Sequence, residues 1–489
     1  MRNRGAFGVR EVIAMGHGVN AQTVAPVGTL DAPALRMPHW PSSLPQDDTS
    51  ASGAVSPVSK AKNESVLRRV ALSSFLGNFI EWFDYATYTY FAIQIGTAFF
   101  PADSGINSTL LAFAIFAISF IFRPLGAMFW GSMGDRKGRK WSLSVSIFVM
   151  TGAAFLIGIL PGYSSIGLAA PLLLLVLRSV QGFSAAGEYS GAAVFLAEYA
   201  PVNHRGLYCS LVPASTASGL LAGSMAALAM KLVLPEAAVE EWGWRVPFLI
   251  ALPLGLVAHF IRTRLEDAPA YKKTQENGGK DGDSVQPLRE LFSKYRRRLL
   301  VSIAATMVNS VGFYLVLTYL PTYLTSYAGL DAALAQGITA ASLLVYIALI
   351  FLSGKVSDLV GRKKMLQAAC VLFVAFSVPG FCLLNAGVLP FVIAGQLLLS
   401  VILTVNDSNI ACYQAEMFPT SVRYTGAAMG SNIAYVLFGG TASFVATALI
   451  DATGNGMAPA YYMIAICVVA FLILLFAHEY SGRSMDSID

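Results

Sequence analysis

Charged residues are scarce in this chain of 489 residues. Asp, Glu, Lys and Arg together make up 12% of it, about half their share in an average soluble domain. Apolar residues make up 55%, and the mean hydropathy is +0.61. So few ionic groups cannot cover that much apolar surface in water. The composition therefore excludes a soluble protein and indicates one embedded in a membrane.

Several sequence motifs of nucleotide-binding and metal sites are also missing. A GxxxxGK[ST] loop is absent, which argues against ATP-driven work within this chain, and no HExxH zinc motif is present. The cysteines stand singly in apolar runs without metal-ligand spacing, so we expect small buried hydrophobic residues and neither a metal nor a cofactor. Nothing in the charge pattern supports nucleic-acid binding. The five cysteines are Cys209, Cys370, Cys382, Cys412 and Cys467.

Long apolar runs follow one another from Val70 onward. Each is close to the 20 or so apolar residues that a membrane-spanning helix needs. We predict twelve spans, at residues 70–97, 108–132, 141–160, 168–194, 207–233, 244–262, 299–323, 333–353, 365–385, 388–413, 425–449 and 459–477.

Lys and Arg concentrate in the breaks that follow even-numbered runs. Such residues favour the cytoplasmic side, so we expect a multi-pass protein of the inner (plasma) membrane with both termini and the long central loop in the cytoplasm. The residues are Arg136, Lys137, Arg139, Lys140, Arg205, Lys363, Lys364 and Arg423, joined by Lys60, Lys62, Arg68 and Arg69 before the first run.

The long central loop divides the chain into two halves of six runs. We predict a disordered cytoplasmic tail or a misplaced start at residues 1–66, without the continuous apolar core of a signal peptide. The N-terminal half is 67–262, the loop 263–298, the C-terminal half 299–478, and a second cytoplasmic tail 479–489.

The two halves share an internal repeat. After the second run of each half, Gly131, Asp135, Gly138, Arg139 and Lys140 recur at the same spacing as Gly354, Asp358, Gly361, Arg362 and Lys363. After the fourth run, Glu198, Pro201 and Arg205 recur as Glu416, Pro419 and Arg423. Two matches in register indicate a duplication.

The GxxxDRxGRK pattern with its degenerate copy resembles the signature of the major facilitator superfamily of secondary transporters. Further motifs look like its metabolite:proton symporter family, and most like the proline/betaine transporters. These motifs contain Gly77, Glu81, Trp82, Asp84, Arg123, Pro124, Gly126, Gln181, Gly182, Gly187, Glu188, Tyr189, Trp242, Trp244, Arg245, Pro247, Phe313, Tyr314, Tyr319, Pro321, Tyr323, Pro459, Tyr461 and Tyr462.

The resemblance implies an all-α membrane protein with twelve transmembrane helices in two pseudo-symmetric six-helix bundles (the major facilitator fold), with the site between the bundles near the midplane. It implies a transporter, not an enzyme, that works as a monomer in the lipid bilayer. Its partners are a small-molecule substrate and protons, with no nucleic acid.

Within that family we expect proton-coupled import of a small polar metabolite by alternating access. The lead substrate is a zwitterionic osmolyte such as proline or glycine betaine. The alternative is a proton symporter of a di- or tricarboxylate such as α-ketoglutarate or citrate, and sodium remains open as the coupling ion. Two functions of other classes are a solute sensor and a membrane enzyme. The sequence shows no signalling domain for the first and no nucleophile and base in a recognisable motif for the second.

Acidic residues inside an apolar run are functional candidates, because a charge at bilayer depth is costly. Glu81 and Asp84 share one face of the first helix with Tyr88, at spacing i, i+3, i+7. We predict that proton coupling rests on Glu81, Asp84 and, in the fourth helix, Glu188. A purely structural hydrogen-bonding role is the competing interpretation.

Arg123 and Arg178 lie in the second and fourth runs and must be paired or face water, because guanidinium keeps its charge. They are partners for Glu81, Asp84 or Glu188, or docking points for a substrate carboxylate. Gln181, in the sequence Arg178-x-x-Gln181, resembles a helix-four motif that the superfamily links to proton coupling.

Amides and rings supply the remaining candidates for substrate binding: Asn309, Asn406, Tyr88 and Tyr314. Buried amides bind substrate or bridge helices, and aromatic rings attract a quaternary ammonium group or pack at the bilayer interface. Asp407 lies near the cytoplasmic end of its predicted span, so it suits a gate contact as well as a proton site.

The repeated loops predict a cytoplasmic gate. Their glycines allow tight turns, and a carboxylate there can meet the positive N-terminal end of a neighbouring helix. The resemblance implies that this latch closes in the outward-facing state and opens in the inward-facing one; a purely topological role for the charges is the alternative. The predicted gate residues are Gly131, Asp135, Arg139, Asp358, Arg362, Glu198, Arg205, Glu416 and Arg423.

Overall fold

The computed structural model describes residues 57–101, 108–265 and 286–485, and all regular secondary structure within these ranges is helical. In this part of the chain, 11 helices are long and apolar enough to cross a membrane. The helix Pro57–Tyr90, of 34 residues, precedes them and is long enough as well. Its apolar run is interrupted by Asn78, Glu81 and Asp84. The twelve predicted spans are therefore all helical.

We number the spans α1 to α12. Four of them are built from consecutive helical pieces. The spans are α1 Pro57–Tyr90, α2 Ser108–Ile121 with Arg123–Lys137, α3 Arg139–Ile159, α4 Ala169–Ala185 with Glu188–Tyr199, α5 Leu211–Val233, α6 Val246–Thr263, α7 Arg296–Phe313 with Tyr314–Tyr319 and Leu320–Ser326, α8 Ala332–Val360, α9 Arg362–Leu384, α10 Leu389–Met417, α11 Arg423–Ala434 with Tyr435–Gly439 and Gly440–Thr453, and α12 Ala458–Leu475.

Shorter helices connect the spans. They are Ala92–Phe99, Tyr163–Ile166, Val202–His204, Arg205–Cys209, Glu236–Glu241, Gly243–Arg245 and Pro287–Lys294. Helix α1 begins at Pro57, inside the segment predicted as a tail, and residues 1–56 of that tail lie outside the described residues. The same holds for residues 266–285 of the predicted central loop, whose later part contains the helix Pro287–Lys294.

The interruptions inside the spans have local causes. In α2 the second piece starts at Arg123 with Pro124 in its first turn, a position that tolerates a residue without a backbone N–H. In α4 the break falls at Ala186 and Gly187. There the carbonyl of Ala186 accepts a hydrogen bond from Asn432 at 2.8 Å, and that of Gly187 accepts one from the Tyr424 hydroxyl at 2.7 Å. This break therefore docks α11 onto α4.

Two spans of the second half contain a π-helical turn, Tyr314–Tyr319 in α7 and Tyr435–Gly439 in α11. A π turn inserts an extra residue into an α-helix and is often found at functional sites. Both turns begin with a tyrosine, and both tyrosines line the central cavity described below.

Each half packs as a bundle, and the two bundles meet along α2 with α11 and α5 with α8. One apolar core joins them, in which Trp82 of α1 and Phe313 of α7 place their ring centroids 5.0 Å apart. The outer surface exposes large apolar side chains such as Leu172, Leu344 and Phe444. That surface suits contact with lipid tails, and the core places residues of both halves around a shared centre.

Candidate functional site

A small cavity of about 10 Å³ lies between the two halves. It is lined by residues from α1, α4 and α5 of the first half and from α7, α10 and α11 of the second. These residues are Trp82, Tyr189, Pro213, Thr216, Asn309, Phe313, Tyr314, Asp407 and Tyr435. Small-molecule sites are mostly apolar concavities with a few placed polar groups, and this one contains a single ionisable carboxyl group, that of Asp407.

Asp407 is 2% exposed and is held by two hydrogen bonds. The Asn309 amide donates to one carboxylate oxygen and the Tyr346 hydroxyl donates to the other. Tyr435 in turn donates to the amide oxygen of Asn309 at 3.2 Å. This network fixes the carboxyl group in the cavity wall. The predicted span ends at 413, whereas α10 continues to Met417, so Asp407 lies deeper than the sequence indicated.

Aromatic rings make up most of the remaining cavity wall. Trp82 and Phe313 meet at 5.0 Å between centroids, and Tyr189 and Tyr435 form an edge-to-face pair at 6.2 Å. Tyr314 packs edge-on to Phe313 at 5.8 Å. The Trp82–Phe313 and Tyr189–Tyr435 contacts each join one half to the other. This arrangement of rings therefore depends on contact between the halves at the cavity.

Glu81, which precedes the cavity residue Trp82 in the sequence, forms a buried ion pair with Arg123. Glu81 accepts a hydrogen bond from Arg123 at 2.6 Å, and Arg123 also donates to the Tyr85 hydroxyl at 2.7 Å. Tyr85 packs edge-on to Trp82 at 5.7 Å. The predicted pairing of Glu81 with an arginine is present, and Tyr85 contacts both Arg123 and the cavity residue Trp82.

A second buried pair lies one turn further along α1. Arg178 donates to Asp84 at 2.8 Å and to Gln181 at 2.6 Å, and Gln181 donates back to Asp84 at 3.1 Å. The Tyr88 ring lies 4.1 Å from the Arg178 guanidinium, while the Tyr88 hydroxyl donates to the carbonyl of Ala112. Arg123, Arg178, Gln181 and Tyr88, all predicted to bind substrate, are therefore not among the residues that line the cavity.

Glu188 has a different partner from those expected. Arg262 of α6 donates to its two oxygens at 3.0 and 2.9 Å, and Ser146 donates to it at 2.5 Å. Sequence reasoning missed Arg262 because it is the last residue of the predicted span 244–262, where an arginine reads as a loop residue. The side chain is in fact 1% exposed. An arginine at the last position of an apolar run was the available signal.

The asparagines divide into two groups. Asn309 lines the cavity, as a predicted substrate contact requires. Asn406 is buried and, within the described residues, neither of its amide atoms has a hydrogen-bond partner, but it is not among the residues that line the cavity. Tyr189 and Tyr346, which border or orient the site, were not predicted to do so.

The predicted gate residues assemble at one end of the bundle, which we call the gate end. Asp135 accepts hydrogen bonds from the backbone N–H groups of Tyr424 and Thr425 at 3.1 and 2.8 Å and from the Thr425 hydroxyl at 2.7 Å. These groups form the N-terminus of α11, where the helix dipole favours an anion. Arg139 and Arg423 both reach Glu198, at 3.2 and 2.7 Å.

The same arrangement recurs around the second copy of the repeat. Asp358 accepts hydrogen bonds from the backbone N–H groups of Gly206 and Leu207 at 2.8 and 3.0 Å. Arg362 and Arg205 lie 3.4 and 3.5 Å from Glu416. Each aspartate therefore latches the start of a helix in the opposite half.

The turns of the two repeats have the same backbone shape, with φ of 99° at Gly138 and 101° at Gly361, a region that favours glycine. At Gly131 a Cβ atom would lie 2.7 Å from the Cα of Thr425. The absence of a side chain there lets α2 touch α11.

The C-terminal segment adds a third link at the gate end. Its backbone carbonyls at Arg483 and Met485 accept hydrogen bonds from Arg205 at 2.7 Å and Arg423 at 2.9 Å. The Met485 side chain is buried in a small apolar cluster with residues of both halves. The cluster contains Val194, Ala197, Cys209, Cys412, Ala415 and Ala427.

The sequence matches the Major Facilitator Superfamily over residues 74–342 and the family described as Sugar (and other) transporter over residues 271–489. The proline/betaine transporter of Escherichia coli (strain K12) is 34% identical over 432 residues, which cover 86% of each chain. The glycine betaine/proline/ectoine/pipecolic acid transporter OusA of Dickeya dadantii (strain 3937) is 35% identical over 429 residues, covering 86% of this chain and 85% of the relative.

Among solved structures, the proton:xylose symporter XylE bound to 6-bromo-6-deoxy-D-glucose superposes with a TM-score of 0.73 at 16% identity, covering 87% of this chain and 99% of that one. This likeness establishes the fold as the two-bundle arrangement that the sequence predicted. The family match over more than half the chain and the relatives above 30% identity show that this multi-pass membrane protein belongs to the major facilitator superfamily of membrane transporters.

Proposed function

We propose that this protein is a proton-coupled symporter that imports a small zwitterionic osmolyte, such as proline or glycine betaine, by alternating access. The observation that carries the proposal is the position of two buried acid–arginine pairs, Glu81–Arg123 and Asp84–Arg178, next to a cavity built by both halves. The names of the relatives from E. coli and D. dadantii support the substrate class.

The coupling argument starts from the cost of burying charge. An arginine lies against each of Glu81 and Asp84, and it would stabilise a negative charge on that carboxyl group in the apolar bundle. A proton on Glu81 would weaken its hold on Arg123 and change how α1 meets α2. Proton binding that differs in strength between the two states of the carrier shifts the balance between them. Glu188 is held by Arg262 inside the first half, does not line the cavity and serves this scheme less directly.

The basic residues at the gate end support an orientation of the carrier in the membrane. Such residues mark the cytoplasmic side, so the gate end faces the cytoplasm and both termini lie there, in the inner membrane. Asp135 and Asp358 hold this end closed, and release of these latches opens the cavity inward. In this proposal the carrier works as a monomer without a cofactor.

The charges in the site argue against a di- or tricarboxylate as the substrate. Both arginines that would clamp an anionic substrate are already paired with carboxylates. In addition, Asp407 places a further acidic group in the cavity wall. A molecule with two or three negative charges would meet repulsion there, whereas a zwitterion has a positive end to offer.

Uptake into proteoliposomes tests the function. We expect labelled glycine betaine to accumulate under an imposed inward proton gradient, with accumulation abolished by a protonophore and competed by unlabelled proline. Competition by α-ketoglutarate and not by proline would contradict the zwitterion assignment. Accumulation driven by a sodium gradient alone would contradict proton coupling.

Neutral variants of the first helix test the coupling residues. We expect Glu81→Gln and Asp84→Asn to lose accumulation under the proton gradient while they still exchange external for internal betaine, because exchange needs no net proton transfer. Exchange at equal protein content is the internal control for folding. Full proton-driven accumulation in both variants would show that coupling resides elsewhere.

A further inference from the structure

We infer that Tyr424 is a gating residue, whose ring is inserted into the opposite half and must leave that position before the gate end can open. Tyr424 lies near the start of α11 in the second half, and its side chain is 0% exposed. It is not among the gate residues that the sequence predicted. Its role rests on the proposed alternating access, whatever the solute or the coupling ion.

Three glycines of the first half surround the Tyr424 ring, and we call them the glycine socket. They are Gly134 of α2, Gly187 at the break in α4, and Gly191 of α4. A Cβ atom at Gly134 would overlap ring carbons of Tyr424, and its three nearest heavy atoms all belong to that ring. A Cβ atom at Gly191 would overlap the Tyr424 hydroxyl, and one at Gly187 would lie 2.8 Å from it. Because a packed interior has no room for added atoms, the ring depends on the absence of side chains at these positions.

The Tyr424 hydroxyl is hydrogen-bonded inside the socket. It donates to the carbonyl of Gly187 at 2.7 Å. The same carbonyl accepts the backbone N–H of Gly191 at 2.8 Å, and its two lone pairs allow both bonds. Gly187 precedes the cavity residue Tyr189 by two positions, so the ring reaches α4 within one helical turn of the cavity wall.

The ring and the latch at Asp135 belong to one contact. The backbone N–H of Tyr424 donates to Asp135 at 3.1 Å, while its ring packs on Gly134, the residue that directly precedes Asp135. A movement of α11 away from Asp135 therefore also withdraws the ring from the socket. The charged contact and the steric contact are released together.

The second copy of the repeat has no such ring. Asp358 accepts the backbone N–H group of Gly206 as Asp135 accepts that of Tyr424, so Gly206 occupies the position that corresponds to Tyr424. A Cβ atom at Gly206 would overlap the hydroxyl of Ser357, which leaves no room for a large side chain there. The two latches thus share their backbone hydrogen bonds, and only the contact of α2 with α11 has an inserted ring. We expect it to be the harder of the two to open.

Gly134→Ala tests the socket, because the added methyl group takes the place of the ring. The reporters are the buried thiols of Cys209 and Cys412, which lie in a cluster built by both halves, and their labelling by maleimide is quantified by mass spectrometry without any solute. We expect labelling to be about tenfold faster, the factor that corresponds to an overpacking cost of about 1.4 kcal/mol. Unchanged labelling would overturn the inference.

Gly152→Ala is the matched control for Gly134→Ala. It makes the same exchange in α3, at a glycine where a Cβ atom would have nothing within 4 Å. We expect the labelling rate of this variant to equal that of the wild-type protein. Equal acceleration in both variants would mean that the exchange of glycine for alanine acts without the socket, and it would contradict the inference.

Variants of Tyr424 assign the effect to the ring. Tyr424→Phe keeps the ring and loses one hydrogen bond, so labelling should be about fivefold faster, which corresponds to about 1 kcal/mol. Tyr424→Ala should accelerate labelling further. In the double variant Gly134→Ala with Tyr424→Ala the methyl group has no ring to displace, so this protein should be labelled no faster than Tyr424→Ala alone. Multiplied effects in the double variant would show that Gly134→Ala does not act through Tyr424.

Labelling and uptake together separate the role of Tyr424 from the proposed function. Faster labelling in these variants, with no proton-driven uptake of betaine by the wild-type protein, would leave the gating residue in place and remove the symporter proposal. Proton-driven uptake by the wild-type protein together with unchanged labelling in Gly134→Ala and Tyr424→Ala would do the opposite.

Discussion

Arg262 ties four helices of the first half together. From α6 it donates hydrogen bonds to Ser73 of α1, to the carbonyl of Leu143 of α3 and to Glu188 of α4. Removing one partner of a buried ion pair leaves the other charge without compensation, which costs about 3–5 kcal/mol. We expect Arg262→Ala to lower the unfolding free energy of the purified protein by that amount, measured by denaturation in detergent.

The double variant Arg262→Ala with Glu188→Gln is the matched control. It removes both charges, so no unpaired ion remains and the loss of stability should be smaller than in the single variant. Equal losses in the two proteins would mean that Arg262 acts through packing alone.

At this scale the sequence predicted which residues carry buried charge, since an acid or arginine within an apolar run is visible directly. It offered Arg123 and Arg178 as partners for Glu81, Asp84 or Glu188 or for a substrate carboxylate, and the structure pairs them with Glu81 and Asp84. It did not predict that Arg262 holds Glu188 or that Tyr346 holds Asp407. Those contacts join separate helices, and helical periodicity within one run contains no information about how two helices rotate against each other.

At the scale of elements, apolar run length predicted the twelve spans because the bilayer sets the length of a spanning helix. The π turns in α7 and α11 were not predicted. Tyr314 and Tyr435 open these turns and line the cavity, and local helix propensity does not encode where an extra residue is inserted. The charged latch at the start of α11 was predicted from the repeat, although its hydrogen-bond partners were not.

The N-terminus of α11 provides a prediction about the gate. Asp135 satisfies two backbone N–H groups and one hydroxyl there. In Asp135→Asn the charge is lost, and with it about 1 kcal/mol of interaction with the helix end, which corresponds to roughly a fivefold shift in a two-state balance. We expect the gate end to open more often, so that maleimide labels the buried thiols of Cys209 and Cys412 several-fold faster, quantified by mass spectrometry.

Asp358→Asn is the companion variant, because Asp358 makes the equivalent contact in the opposite direction. It should accelerate labelling of the same thiols. Cys370 and Cys467, which lie between α9 and α12, serve as controls, and their labelling should stay unchanged. If neither variant alters the labelling of Cys209 and Cys412, the aspartates do not hold the gate.

The whole molecule is two bundles that meet at a cavity and close at the gate end. The internal repeat predicted this pseudo-symmetry, since each half contributes one aspartate latch and one cluster of a glutamate with arginines. The link through the C-terminal segment was not predicted, because residues 479–489 were expected to be a tail. Met485 is instead buried between the halves, and no periodic pattern marks a single methionine near the end of a chain.

Cys209 of the first half and Cys412 of the second offer a direct test of closure, because they lie in the same buried cluster with their thiols in contact. The test uses a protein with a protease site inserted between residues 266 and 285, which is oxidised with copper phenanthroline before cleavage. A disulfide between these cysteines should keep the two halves in one band on a non-reducing gel. It should also stop betaine uptake, since the gate end can no longer open.

A reductant should restore both the two bands and the uptake. Cys209→Ser should give two bands after oxidation, which shows that the band depends on this pair, whereas a disulfide between Cys370 and Cys467 stays within the second half and cannot hold the halves together. Met485→Ala should slow formation of the linked band, because the side chain fills the cluster that brings the two thiols into contact. If the linked, oxidised protein transports at full rate, the halves do not separate at the gate end during transport, and alternating access must take place by another movement.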